Sequence, residues 1–84
     1  MNITYVAKPN KKNKYERYKI FNFENKEQNP FFNLVPEGEP ININVLADFV
    51  AQPSITRKAP LRSVRFFILD AIIDGYTDIR YYYS

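Results

Sequence analysis

The chain has 84 residues, a formal net charge of +3, no Cys, no His and only two glycines, Gly38 and Gly75. Without Cys or His there is no disulfide, no thiolate or imidazole metal site, and no base for a Ser-His-Asp or Cys-His nucleophile. Two glycines 37 positions apart also exclude the glycine-rich phosphate loops.

Ile3-Thr4-Tyr5-Val6 is rich in β-branched and aromatic residues and predicts a strand. Pro9 to Asn13 is a polar turn, and Tyr15 to Phe23 then predicts a second strand paired antiparallel with the first. Its alternation places Tyr18 and Ile20 on one face and Arg17 and Lys19 on the other. Glu24 to Pro30 is a polar loop. Phe31-Phe32-Asn33-Leu34-Val35 is either a short strand or an irregular segment anchored in the core. Two prolines and a glycine within Pro36 to Pro40 break any regular element.

Ile41 to Gln52 carries both periods. Ile41, Ile43, Val45, Ala47, Phe49 and Ala51 alternate like a strand, while Val45, Leu46, Phe49 and Val50 form a helical stripe. Asn44 as N-cap and Pro53 as stop favour a short helix over roughly 44–51. Pro60 to Asp74 repeats the ambiguity. Pro60 suits a first helical position and Gly75 the residue past the end, yet Asp74-Gly75 is also a hairpin signal. The length of the segment favours a helix. In that helix Leu61, Val64, Phe67, Ile68, Ala71 and Ile72 share one side. Phe66, Leu69 and Ile73 widen the apolar face until the helix is nearly enclosed. Tyr76 to Tyr83 predicts a last strand with Thr77, Ile79, Tyr81 and Tyr83 on one face. The result is one α+β domain over residues 1–84: a small antiparallel sheet, made of the N-terminal hairpin and the C-terminal strand, with one or two helices on one face. An all-β fold is the alternative.

Composition supports a folded chain. Leu, Ile, Val and Phe supply 25 of the 84 residues, well above the ~20% below which disorder is expected. The longest apolar run, Phe66 to Leu69, is far short of the ~18 residues that span a membrane. Met1 to Lys8 lacks the basic start and long apolar stretch of a secretion signal, so a cytoplasmic location is expected. Phe, Tyr, Met, Ile, Asn and Lys, all with AT-rich codons, make up 40 of the 84 residues, the diet of an AT-rich bacterial or phage genome.

The small net charge hides blocks. Residues 1–26 carry +5, 27–56 carry −4, 57–66 carry +4 and 67–84 carry −2. The first basic block holds Lys11, Lys12, Lys14 and Arg17 interleaved with Tyr15 and Tyr18, a pattern suited to phosphates and stacked bases or to an acidic protein surface. It equally suits a solvated hairpin loop. The second block, Arg57, Lys58, Arg62 and Arg65, sits at the start of the expected helix, where cations oppose the macrodipole. An external anion or partner would explain that placement, and so would intramolecular pairs with Glu37, Glu39 or Asp48. Tyr81, Tyr82 and Tyr83 are candidate interface aromatics on a strand that could pair through a free edge. Asp70, Asp74 and Asp78 recur every fourth residue, but Gly75 interrupts them. Glu24-Asn25-Lys26 has an E-x-K spacing without an upstream Asp partner. Neither makes a catalytic or metal site, and no cofactor is implied.

These features favour a small non-enzymatic protein-binding module, monomeric or homodimeric. It would be an inhibitor or accessory protein of phage or mobile-element type, docking on a larger machine. Direct nucleic-acid binding through the two basic blocks is the alternative.

Overall fold

The computed structural model describes residues 2–9, 17–24, 29–52 and 59–84. It contains β1 (Ile3–Lys8), β2 (Lys19–Phe23), α1 (Ile43–Ala51), α2 (Ala59–Ile73) and β3 (Asp78–Tyr83). The strands form one antiparallel sheet in the order β2-β1-β3. The α+β expectation holds, including the N-terminal hairpin and the C-terminal strand, and the all-β alternative falls.

β1 is the central strand, and its register sets both faces of the sheet. Tyr5 lies between Phe21 and Tyr81, Ala7 between Lys19 and Ile79, and Ile3 between Phe23 and Tyr83. Ile3, Tyr5, Ala7, Ile79 and Tyr81 are buried, and Phe21 and Phe23 pack against them. Strand periodicity sends Thr4, Val6, Ile20, Asn22, Arg80 and Tyr82 to the other face. The split of β2 into two faces is as expected, and the inward set is Lys19, Phe21 and Phe23. Tyr18 and Ile20 are exposed. Two phenylalanines outweigh one isoleucine, and a one-residue shift in register would turn all of them outward.

α1 begins one residue earlier than expected, and its N-cap lies two residues earlier. Asn42, not Asn44, is the N-cap: its side chain accepts the Asn44 N–H at 2.7 Å. The shift leaves Ile41 in an extended segment, buried and hydrogen-bonded to β3. Leu46 and Phe49 face the core, while Ile43, Ala47 and Ala51 stay exposed, so the strand-like alternation has no structural counterpart.

α2 ends as Gly75 requires. The Gly75 N–H donates to Ile72 O at 3.0 Å and the Tyr76 N–H to Ala71 O at 2.8 Å. With Gly75 at φ +87° this is a Schellman cap. The hairpin use of Asp74-Gly75 is thereby replaced by a helix stop. Val64, Ile68 and Ala71 are buried and Phe67 stacks on Phe21, with ring centroids 5.6 Å apart. The helix is not enclosed, however: Phe66 is 54% and Ile73 78% exposed. The sheet and α1 cover only part of its circumference. No helix of the described residues is long and apolar enough to cross a membrane.

Candidate functional site

Phe31 to Val35 forms neither strand nor helix. It is a tight turn in which the N–H groups of Leu34 and Val35 both donate to Phe31 O, at 3.0 and 3.2 Å. Asn33 supports it with φ +67°, a conformation that Asn tolerates better than most side chains. The turn drives Phe31 and Val35 into the core and thrusts Phe32 and Leu34 into solvent, 63% and 66% exposed.

Asn29 fixes this turn to the sheet. It is buried, and its Oδ1 accepts the Tyr5 hydroxyl at 2.9 Å and the Phe31 N–H at 3.1 Å. Its Nδ2 donates to the Tyr83 hydroxyl at 2.8 Å. The Tyr81 hydroxyl donates to Val35 O, so each end of the turn is tied to a sheet tyrosine. Burial pushes the Tyr5 phenol far up from its ordinary value and raises Tyr81 as well. Both remain neutral hydrogen-bonding groups.

Between the turn and β3 lies an open hollow of about 450 Å³, lined by Phe32, Asn33, Leu34, Val35, Pro36, Tyr81 and Tyr83. Its walls are mostly aromatic and aliphatic, and the Tyr81 and Tyr83 hydroxyls are already engaged by Val35 and Asn29. The hollow can accept an apolar or aromatic side chain. Its lining offers no carboxylate, amine or thiol to do chemistry on one.

The adjacent edge of β3 is covered. Gly38 N–H donates to Tyr81 O at 3.0 Å and Ile41 N–H to Ile79 O at 2.9 Å. Arg80 clamps the same loop: its Nη1 donates to Gly38 O at 3.0 Å, and its other nitrogens fork onto Asp78 at 2.8 and 3.0 Å. Gly38 is needed at φ +81°, a conformation strained for any side chain; an added Cβ would only touch the Tyr82 ring, at 3.4 Å. The free edge that strand addition at β3 would need is therefore closed at Ile79 and Tyr81: the chain's own residues 38–41 take that place.

The residues singled out from sequence are scattered. Lys11, Lys12, Lys14, Tyr15, Arg57 and Lys58 lie outside the described residues, as do Asn25 and Lys26 of the E-x-K segment. Arg17 and Tyr18 are exposed just before β2, and the Arg17 carbonyl accepts the Tyr76 hydroxyl at 2.6 Å. Arg62 is exposed on α2. Arg65 is half-buried, with a buried Nε that has no hydrogen-bond partner. Of the three candidate aromatics, Tyr81 is a core residue at 3% exposure rather than a surface anchor. Tyr83 borders the hollow and Tyr82 lies on the opposite face. Asp70 and Asp74 stay with α2 and its cap while Asp78 belongs to β3. Among the described residues no group of three acidic side chains is placed to hold a metal ion.

Phe32 and Leu34 escaped the sequence reading. The available signal was the density of apolar residues between Pro30 and Pro36: four apolar side chains in five positions cannot all turn inward in one short turn.

Lys19 points toward α2, where it pairs with Asp74 and lies 5.3 Å from the Tyr76 ring centroid. It supplies the cation that the C-terminus of α2 lacks on its own helix. The hydrogen bond to Asp74 raises the Lys19 pKa, and the hydrogen bond from Arg80 lowers that of Asp78 below the ordinary 3.8. A raised folded-state value gives stability that is lost as pH climbs past it, and a lowered one gives stability that is lost as pH falls through it. Lys19, Tyr5 and Tyr81 thus weaken the fold above about pH 10, where the unfolded chain gives up these protons more readily than the folded one. Asp78 weakens it in acid below 3.8. Melting temperature followed from pH 2 to pH 12 should show a broad plateau between these two declines, the alkaline one blunted in Tyr5→Phe.

Comparison with known proteins finds no family model, no curated protein and no solved structure that matches this chain.

Proposed function

We propose that the protein is a non-enzymatic protein-binding module that docks through the turn at Phe32 and Leu34 and the hollow beside it. The observation that carries this reading is the contrast within one turn. Phe31 and Val35 are buried while Phe32 and Leu34, between them in sequence, stand in solvent over tyrosine-lined walls. Two large apolar side chains held out side by side on a braced turn make a surface patch, and an aromatic residue such as Phe32 is enriched at interface cores. The matching ligand is an apolar or aromatic side chain on a folded partner, whose surface covers Phe32 and Leu34 while its side chain enters the hollow. An inhibitor or accessory protein of phage or mobile-element type, cytoplasmic and acting on a larger machine, fits the size and residue diet.

The test is affinity capture from the native host, with and without nuclease, using wild type and the double variant Phe32→Ala/Leu34→Ala. A protein partner should survive nuclease and be lost from the variant, which keeps the wild-type circular dichroism spectrum. The nucleic-acid alternative predicts the reverse. If Lys11, Lys12, Lys14 and Arg17 together with the block Arg57, Lys58, Arg62 and Arg65 made roughly 4–6 phosphate contacts, duplex affinity would fall on the order of 10³-fold between 50 and 200 mM salt. Submicromolar oligonucleotide binding at physiological salt, lost on replacing Lys11, Lys12 and Lys14 with Ala, would overturn the protein-docking reading. Apolar contacts at Phe32 and Leu34 are not screened in that way.

A further inference from the structure

We infer that the outward face of α2 is a self-association surface, on which a second copy of this chain packs its own α2 antiparallel. Phe66, Leu69 and Ile73 recur at i, i+3 and i+7 on the side of α2 turned away from Val64, Ile68 and Ala71. Arg62, one turn earlier, continues the line. The stripe is about 16 Å long at ~1.5 Å per residue. Its two largest members are its most exposed, Phe66 at 54% and Ile73 at 78%.

Charge names the occupant. α2 has no acidic residue in its first turn and no basic residue in its last. Arg62 and Arg65 lie in its N-terminal half, with Asp70 and Asp74 at its C-terminal end. Both placements add to the helix dipole's own end charges, making the N-terminal end more positive and the C-terminal end more negative. Lys19 offsets part of this at Asp74 and, at longer range, at Asp70. A neighbour with the opposite gradient is complementary along the whole helix, and an antiparallel copy of the same helix is such a neighbour. A two-fold axis between Phe66 and Leu69 sets Phe66 against the partner's Leu69. It also sets Arg62 against the partner's Ile73, in reach of the partner's Asp70 and Asp74. The contact is isologous and closes at two copies. A parallel pair would instead oppose like ends and bring the two Arg62 side chains together. The stripe is short beside the ~800 Å² per partner of a standard interface, so the dimer is weak, with a dissociation constant on the order of tens of micromolar.

Sedimentation velocity from about 10 µM to about 1 mM should show a concentration-dependent shift from monomer to dimer. Phe66→Glu, an exposed change, should abolish the shift while leaving the circular dichroism spectrum intact. Arg62→Glu and Asp70→Lys should each weaken association about tenfold, and an equimolar mixture of the two should recover it. Because the chain has no cysteine, orientation can be read by cross-linking. Under mild oxidation a mixture of Arg62→Cys and Ile73→Cys chains should form mainly the mixed disulfide. A monomer at every concentration, a dimer indifferent to Phe66→Glu, or disulfides only between like chains would each overturn the proposal.

Discussion

Asn29→Ala is expected to destabilise the fold by roughly 2–4 kcal/mol and to abolish partner binding with it. The substitution removes one acceptor that serves two donors, the buried Tyr5 hydroxyl and the Phe31 N–H, and one donor that holds Tyr83. Tyr5 is fully buried, so its hydroxyl cannot turn to water. An unsatisfied buried donor costs about 1–3 kcal/mol, more than the hydrogen bond it replaces is worth. An 84-residue domain has only about 4–12 kcal/mol of total stability, so the loss should be visible as a large fall in urea midpoint. Tyr5→Phe separates the contributions. It removes the buried hydroxyl along with its bond, leaves Asn29 still accepting from Phe31, and should cost only about 1 kcal/mol. If the two variants melt alike, Asn29 is not the brace of the turn.

The core of the sheet was legible because two periods agreed with local chemistry. Ile3 and Tyr5 on β1, with Ile79 and Tyr81 on β3, alternate into the core as period two demands. Pro60 and Gly75 bracket α2 where helix ends favour them, and Gly75 takes the positive φ that made it informative. Where the reading failed, two local signals competed and a distant contact chose between them. At α1 both Asn42 and Asn44 can cap, and Ile41 decides by hydrogen-bonding β3. At β2 the inward face was settled by Phe21 meeting Phe67, a residue 46 positions away. A nearly apolar helix reads as enclosed, but whether anything covers Phe66 and Ile73 depends on how many layers the fold has.

The candidate site was harder to read for the same reason. Lysines and arginines attract attention as single residues, whereas the turn at Phe32 acts through arrangement. Asn29, Phe31 and Val35 lie 46 to 54 positions from their partners Tyr81 and Tyr83, and only the folded sheet brings them together. Tyr81 illustrates the difference. Beside Tyr82 and Tyr83 it looks like one of three equal anchors, yet it is buried with its hydroxyl committed to Val35. The turn's own fingerprint, an Asn flanked by large apolar residues and bounded by prolines, becomes informative once Asn33 is seen at positive φ.

Phe31→Ala and Phe32→Ala, identical changes at adjacent positions, should have opposite consequences. Phe31 is fully buried, with its ring centroid 6.2 Å from Tyr5 and 5.2 Å from Phe49. It joins the turn, the central strand and α1. Its removal leaves a cavity among three elements that cannot all close on it, at a cost of about 3–5 kcal/mol. That is close to the whole stability of a marginal small domain, so Phe31→Ala should melt far below wild type or fail to fold. Phe32 has most of its surface in water already. Replacing it with Ala should change stability by no more than about 0.5 kcal/mol. Partner binding should nonetheless fall on the order of 30-fold or more, the effect of a central interface anchor worth at least about 2 kcal/mol. The measurement pairs a chemical melt with a binding titration for each variant. A Phe32→Ala protein that melts and binds like wild type would remove the turn from the function, and one that unfolds would make Phe32 a core residue. In neither case could the exposed phenylalanine be the surface through which this fold acts.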